Sequence, residues 1–370
     1  MKETEEERRA RLAKNDRFLA EPYELKVKRA RLRIREWRDT CWENDKEPAV
    51  SVGGLDSITL LALVREELGP DAEGISVSSL EDKSIQAVHK EMRVKAISPK
   101  MSKVQVLNEF GFPVISKLIS AKIERLQTPG DNSPIIKAYM TGDEGPWGQY
   151  GHNEKFKLPD TYIEKFGGLY AEFRPDLECH VAPFKVSDKC CYWLKELPAI
   201  EYQQEHGIWP FLGLMQSEGG RRQYSLRRHG CNYVGKSTAR SCPLNYFNRQ
   251  DLLQLALDLK VHVPEIYGEI VRDYDGTLRT TGAKRTGCSM CGYGIHMEGR
   301  PHRFDRLRER NPKEWDFYMR RCCKDEDGTE YGWGRVLDYL GIGWENYPDT
   351  DLVGQISWAE YMEGLDGRLD

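Results

Sequence analysis

The sequence predicts an α/β fold with a mostly parallel sheet flanked by helices, and three observations lead to this prediction. Residues 49–52 and 74–78 form short apolar runs that are typical of buried strands. The apolar helical run 56–68, closed by Gly69, lies between them and completes a βαβ unit. A further buried strand is predicted at residues 209–214. This alternation of strands and helices is typical of a parallel sheet covered by helices.

The remaining elements are mostly helical. Residues 3–16 predict a charged, exposed helix, and residues 23–42 predict an amphipathic helix with one basic face. Residues 127–151 are rich in Gly, Pro, Asp and Asn and predict an irregular loop. Further helices are predicted at residues 82–92, 102–109, 187–205, 249–259 and 300–322.

The composition excludes several classes of protein. The chain has 370 residues and a formal net charge of −4, so no overall excess of positive charge marks it as nucleic-acid binding. No run is long and apolar enough to span a membrane, and no signal-peptide pattern opens the chain. We therefore expect a cytoplasmic protein without a membrane partner. In that compartment, the ten cysteines indicate free thiols or metal ligands rather than disulfides.

The basic face of the helix predicted at 23–42 has two interpretations. Lys26, Lys28, Arg29 and Arg33 lie on it, and their simplest role is solvation. The alternative is that the basic N-terminal helices dock a protein or nucleic-acid partner.

A glycine-rich loop separates the first predicted strand from the helix after it. Gly53, Gly54, Leu55, Asp56 and Ser57 follow one another at this junction. Two glycines let backbone N–H groups turn inward, and the helix N-terminus adds partial positive charge, so the loop could cradle a phosphate. The alternative is a tight strand-to-helix turn with an Asp/Ser cap.

Four cysteines have the pattern of a metal site. Cys288 and Cys291 are separated by two residues, which lets both sulfur atoms face one metal. Cys190 and Cys191 could supply two more thiolates, and four thiolates suit zinc or an iron–sulfur cluster. The alternative is that Cys190 and Cys191 are small buried residues of a helix.

Taken together, these segments resemble the phosphoadenosine phosphosulfate (PAPS) reductase family of the adenine nucleotide α-hydrolase-like superfamily, which has a Rossmann-like fold. The resemblance runs from about Pro22 to about Gly343. Its pyrophosphate loop (PP-loop) corresponds to residues 52–57, where Val52 and Leu55 replace the family's Ser and Lys. This resemblance implies binding of an adenine nucleotide, ATP or a PAPS-like one, with Mg²⁺ as its companion ion.

The resemblance also implies further site residues. Lys117 and the segment containing Glu218, Arg221 and Arg222 are similar to family positions that face the nucleotide; an exposed basic turn is the alternative for that segment. The cysteine motifs resemble those of iron–sulfur adenylylsulfate reductases. They imply a [4Fe–4S] cluster on four cysteines, with zinc as the alternative metal: Cys190, Cys191, Cys288 and Cys291.

The departures from the family pattern bear on the chemistry. Its reductases use a C-terminal Glu-Cys-Gly nucleophile, which this sequence lacks, although Cys322 and Cys323 follow two arginines. Chemistry at the α-phosphate of ATP, or sulfur transfer, is therefore favoured over sulfate reduction. With Leu55 in place of Lys, ATP should bind but turn over slowly. The alternative function is a non-catalytic accessory module of a phage, CRISPR or nucleic-acid-modification system.

These inferences predict three segments in the chain. Residues 1–46 would form a basic helical extension, and residues 47–270 a nucleotide-binding α/β domain. Residues 271–370 would contain the cysteine knuckle and a C-terminal helical region.

Overall fold

The computed structural model describes residues 4–143, 156–236 and 238–345. Two compact units divide the chain, each built from two separate stretches: residues 1–100 with 193–289, and residues 101–192 with 290–370. The helices, in chain order, are α1 (Glu5–Leu19), α2 (Tyr23–Trp42), α3 (Leu55–Leu68), α4 (Lys83–Glu91), α5 (Lys103–Phe110), α6 (Lys117–Leu126), α7 (Pro134–Thr141), α8 (Asp160–Phe166), α9 (Lys189–Cys191), α10 (Leu197–Glu205), α11 (Gly220–His229), α12 (Arg249–Asp258), α13 (Arg303–Arg310), α14 (Pro312–Arg320) and α15 (Trp333–Leu340). The strands are β1 (Glu47–Ser51), β2 (Glu73–Ser76), β3 (Lys95–Ala96), β4 (Ile208–Leu212), β5 (Asn232–Val234), β6 (Ala239–Ser241), β7 (Ile270–Arg272), β8 (Leu278–Thr280), β9 (Cys323–Lys324) and β10 (Glu330–Tyr331).

The first unit is built on a six-stranded sheet with the order β3-β2-β1-β4-β6-β5. Strand β1 is parallel to both of its neighbours, so that Ala49 lies opposite Glu73 on β2 and Pro210 on β4. The pairs β2–β3 and β4–β6 are also parallel, and only β5 runs antiparallel to its neighbour in this sheet. The predicted α/β class with a mostly parallel sheet is therefore confirmed.

Helix α2 belongs to the core of the first unit. Its apolar face packs with β1 and α3, and Ile34 and Trp37 are completely buried. The ring of Trp37 stacks on Trp209 of β4 with centroids 5.7 Å apart. Lys26, predicted on the solvated basic face, is instead buried. Its ammonium lies 2.8 Å from the carboxylate of Asp251, and this ion pair joins α2 to α12. Removing one partner of such a pair typically costs about 3–5 kcal/mol.

The second unit has an aromatic core. Phe112 lies edge-on to Trp333, with ring centroids 4.9 Å apart, and Phe304 packs on the same indole at 5.4 Å. Two isolated parallel bridges join segments distant in sequence, Phe112 with Val186 and Ile115 with Tyr293. Aromatic pairs of this kind add about 0.5–1.5 kcal/mol each beyond the area that they bury.

Three regions differ from the sequence-based expectations. Residues 134–141, predicted as loop, form helix α7, because Pro134 opens the helix while Ile136, Ala138 and Met140 are buried; residues 144–151 of that predicted loop lie outside the described residues. The predicted helix 187–205 contains a π-helical turn, Tyr192–Glu196. The predicted helix 300–322 is two helices, α13 and α14, because Asn311 caps a new helix that begins at Pro312.

No helix within the described ranges combines the length and the apolar character needed to cross a membrane.

Candidate functional site

A cavity of about 340 Å³ opens at the carboxyl ends of β1 and β4 in the first unit. The chain runs from β1 to β2 and β3 on one side, then places β4 on the other side of β1. Parallel sheets bind ligands where the strand order reverses in this way. The cavity is lined by Ser51, Gly54, Leu55, Asp56, Ser57, Leu212, Gly213, Leu214, Glu218, Arg222, Arg249, Tyr267, Lys284, Arg285 and Thr286.

The glycine-rich loop between β1 and α3 is held by its own serine. The N–H of Gly53 donates to Ser57 Oγ over 2.7 Å, and the Ser57 hydroxyl donates to the Gly54 carbonyl over 3.0 Å. Ser57 therefore makes no side-chain cap on α3, whose N-cap residue is Gly54. Gly213 at the end of β4 packs on the loop, because a Cβ there would lie 3.1 Å from Ser57 Cα.

Tyr267 reaches the N-terminus of α3. The N–H of Leu55 donates to Tyr267 Oη over 3.2 Å, and Tyr267 Oη lies 2.6 Å from Thr286 Oγ1. A side chain at Gly54 is excluded, since its Cβ would lie 2.3 Å from Tyr267 Oη. Burial raises the pKa of Tyr267, which keeps the phenol neutral. The neutral Tyr267 hydroxyl therefore accepts a hydrogen bond from the Leu55 N–H, one of the donors of the predicted phosphate cradle.

His89 fixes the other side of the loop. Its Nε2 lies 2.8 Å from the Gly53 carbonyl, and its Nδ1 lies 2.9 Å from Ser78 Oγ. Because a carbonyl only accepts, Nε2 carries the proton and Nδ1 accepts from the Ser78 hydroxyl. Burial lowers the pKa of His89 more than the Gly53 carbonyl raises it, so the neutral ring is favoured.

Basic side chains from three segments surround the cavity. Arg249 Nη1 lies 2.8 Å from Asp56 Oδ1, and Arg249 Nη2 donates to the Lys284 carbonyl over 3.1 Å. The buried Glu218 carboxylate pairs with Arg222, and Arg285 Nη2 lies 3.6 Å away from it. The lining holds four basic and two acidic side chains, which gives it a net charge of +2 and suits it to an anion.

Asp56 has an environment that opposes its charge. Burial raises the pKa of its carboxyl most strongly; the neighbouring Arg249 lowers it and the charge of Glu218 raises it further. The net direction is upward. A cation bound at Asp56 would favour the ionised form.

Leu55 borders the cavity, but its side chain packs in the core rather than facing solvent. Its side chain is only 1% exposed and belongs to the hydrophobic core of the first unit. The basic groups of this cavity are supplied instead by α11, α12 and the segment before Cys288.

The structure gathers most of the predicted nucleotide-binding residues, which are Gly54, Asp56, Ser57, Glu218 and Arg222, along the cavity. Gly53 adjoins it and turns its carbonyl to His89. Arg221 belongs to α11, and its side chain lies outside the described part. Lys117 begins α6 in the second unit, whereas the cavity lies within the first. Sequence reasoning missed His89, Arg249, Tyr267 and Thr286.

The predicted cysteine ligands divide between the units. The second unit contains Cys190, Cys191 and Cys291. Burial raises the pKa of Tyr293 most strongly, and the charges of these three cysteines raise it further. Cys288 belongs to the first unit and accepts a hydrogen bond from Lys195, whose ammonium also lies 2.6 Å from Glu81 Oε1. Burial opposes the Lys195 charge, but the charges of Cys288 and Glu81 outweigh it and raise the pKa.

Within the described ranges, no three or more His, Cys, Asp or Glu side chains are grouped closely enough to hold a metal ion. The four-cysteine site therefore stays a prediction that rests on the sequence motif.

Comparison with known proteins finds matches among solved structures alone. No protein-family model matches the chain, and no curated protein matches it. Among solved structures, the phosphate complex of PAPS reductase from Candida auris is similar at 12% identity, covering 75% of this chain and 98% of that chain with a TM-score of 0.33. A likeness of this degree supports no conclusion about the chemistry of the cavity.

Cys322 and Cys323 lie in the core of the second unit. They are 2% and 1% exposed, and their sulfur atoms are 3.9 Å apart. The neighbouring arginines point elsewhere, since Arg321 pairs with Asp316 and Arg320 lies over the ring of Trp344. Buried thiols of this kind are poorly placed to attack a substrate from solution.

Proposed function

We propose that the first unit binds an adenine nucleotide, ATP or a PAPS-like one, with its phosphates in the cavity between β1 and β4. The observation that carries the proposal is the net positive cavity at the reversal of strand order, bordered by the N-terminus of α3. Phosphate groups match this site in charge, and arginine forks bind them through paired hydrogen bonds.

The cavity side chains would have two roles, phosphate contact and metal binding. Arg249, Lys284 and Arg285 would contact phosphate oxygens, while Asp56 would hold the Mg²⁺ that accompanies the nucleotide. Arg249 now pairs with Asp56, so metal binding at Asp56 would release its guanidinium toward a phosphate. A phosphate oxygen would also compete with Tyr267 Oη for the N–H of Leu55.

We propose α-phosphate or sulfur-transfer chemistry for this cavity rather than sulfate reduction. Its described lining contains basic side chains suited to charge that develops on phosphate oxygens, but no cysteine. Reduction of a sulfonate needs a thiolate at the reacting sulfur.

We also keep the [4Fe–4S] cluster, with zinc as the alternative, as a proposal for Cys190, Cys191, Cys288 and Cys291. The described side chains are not grouped as a metal site, so the proposed roles of the cavity residues do not depend on the cluster. The competing function is a non-catalytic accessory module that retains the cavity but performs no turnover.

Calorimetry of Mg²⁺–ATP binding, with a pyrophosphate-release assay, tests the proposal. Arg249→Met should weaken binding about tenfold or more, because a charge-assisted hydrogen bond is lost. The matched control is Arg279→Met, which removes an arginine that pairs with Asp273 over 2.8 Å outside the cavity lining. Equal affinity of both variants, or absence of ATP binding by the wild type, would contradict the nucleotide site. Binding without pyrophosphate release would favour the accessory module.

A further inference from the structure

The helix α11 and the antiparallel strands β5 and β6 form a basic surface, and we propose that it binds single-stranded nucleic acid. Residues 219–242 contain six Lys or Arg residues and no Asp or Glu, although the whole chain has a net charge of −4. The six are Arg221, Arg222, Arg227, Arg228, Lys236 and Arg240. Binding of a single strand at this surface would not depend on nucleotide binding in the cavity.

Much of this charge is not neutralised by the protein. Arg227 pairs with Asp16 of α1 over 2.9 Å, and Arg222 pairs with Glu218. Across the described part of the chain, Arg228, Lys236 and Arg240 lie within ion-pair distance of no carboxylate. Arg228 and Lys236 are exposed, so a phosphate backbone could reach both.

Helix α2, whose basic face has a partner surface as its alternative interpretation, differs in this respect. All five of its arginines pair with carboxylates: Arg29 with Glu21, Arg31 with Glu66 and Glu67, Arg33 with Glu36, Arg35 with Glu67, and Arg38 with Asp39. A phosphate would have to displace these partners. The excess of positive charge available to a polyanion therefore lies on α11 rather than on α2.

Several arginine side chains lie close to His229. Burial lowers its pKa first, and then Arg240 of β6, Arg228 of its own helix and Arg11 of α1 lower it further. Its ring also contacts Tyr233 of β5, with centroids 4.2 Å apart. Three guanidinium groups from three elements thus concentrate positive potential around one imidazole.

Aromatic side chains on the same surface favour a single strand over a duplex. Tyr224 is 67% exposed in the middle of α11, and Arg228 Nη1 donates to its hydroxyl over 3.2 Å. Arg240 lies over the ring of Tyr233 at 5.7 Å. Unpaired bases can stack on the exposed ring of Tyr224 while the backbone follows the cations, whereas paired bases are hidden within a duplex.

Arg222 connects the surface to the cavity. It lies in the first turn of α11 and also lines the cavity between β1 and β4. A strand that follows α11 toward its N-terminus would therefore bring a terminus or a base close to the proposed phosphate site.

Fluorescence anisotropy without added nucleotide tests the inference. The probes are labelled single strands of about 20 nucleotides, one DNA and one RNA of the same sequence, and the corresponding DNA duplex. The double variant Arg228→Ala/Lys236→Ala should lose about tenfold in affinity, and its salt slope should fall by about 1.4, or 0.7 for each lost phosphate contact. The charge-matched control is Arg35→Ala/Arg38→Ala on α2, which should bind as the wild type does.

A second pair of variants tests stacking. Tyr224→Ala should weaken binding about fivefold or more, and Tyr224→Phe, which keeps the ring, should restore it. Tighter binding of either DNA or RNA would support the inference and identify the preferred sugar. Equal losses in the two double variants, no binding at low salt, or tighter duplex binding with no effect of Tyr224→Ala would overturn it. ATP calorimetry of Arg228→Ala/Lys236→Ala separates the two proposals, because this variant should retain nucleotide binding.

Discussion

The hydroxyl oxygen of Tyr267 lies 3.2 Å from the amide nitrogen of Leu55, at the N-terminus of α3 where a bound phosphate oxygen would lie. The two residues are 212 positions apart, and the contact requires glycine at position 54. The phenol therefore satisfies a helix donor that would otherwise be unpaired. Nucleotide binding and this internal hydrogen bond should compete.

Tyr267→Phe tests that competition. The variant leaves the Leu55 N–H and the Thr286 hydroxyl without this partner, which should lower the free energy of unfolding by about 1–3 kcal/mol. It should bind Mg²⁺–ATP at least as tightly as the wild type, because the donor is free for phosphate. Thermal unfolding with and without ATP, together with calorimetry, measures both effects. Weaker ATP binding would instead place the hydroxyl in contact with the nucleotide.

Leu55→Lys should destabilise the protein rather than activate it. The Leu55 side chain is 1% exposed among apolar neighbours, so an ammonium there would be buried without a partner. We expect a loss of about 3 kcal/mol or more in urea unfolding, whereas the volume-conserving control Leu55→Met should lose less than about 1.5 kcal/mol. A stable Leu55→Lys variant with faster pyrophosphate release would show that this side chain reaches the phosphates.

Only part of this site could be predicted from the sequence. The loop was predictable because its signal is local: two glycines lie between an apolar strand and an apolar helix. The orientation of the Leu55 side chain was not predictable, because α3 is covered on several sides and its first residue faces the core. Arg249 and Tyr267 carry no motif, and only the chain topology brings them to the loop.

His89 should make stability depend on pH. Its folded pKa lies below the ordinary value of 6.5, because burial disfavours the charged ring. As the pH falls through 6.5, the unfolded state binds a proton that the folded state resists, so its contribution to stability is complete above 6.5 and declines below it. His89→Gln keeps a donor for the Gly53 carbonyl but does not titrate.

Urea unfolding between about pH 8 and pH 5 measures this effect. The wild type should lose more stability on acidification than His89→Gln, since other histidines contribute equally to both proteins. Identical pH profiles would mean that His89 titrates normally or lies in a different environment.

Metal content decides the role of the cysteines. If Cys190, Cys191, Cys288 and Cys291 hold a [4Fe–4S] cluster, anaerobically purified protein should contain iron and labile sulfide, and Cys288→Ser or Cys291→Ser should abolish both. The control is Cys179→Ser, which alters a partly exposed thiol outside the predicted set. Metal loss should also lower the unfolding temperature, because a metal bound only by the folded state stabilises it. Zinc without iron would identify zinc as the metal in place of the cluster. If the wild type contains no metal and is as stable as Cys288→Ser, the metal site is refuted, and Cys288 only accepts a hydrogen bond from Lys195.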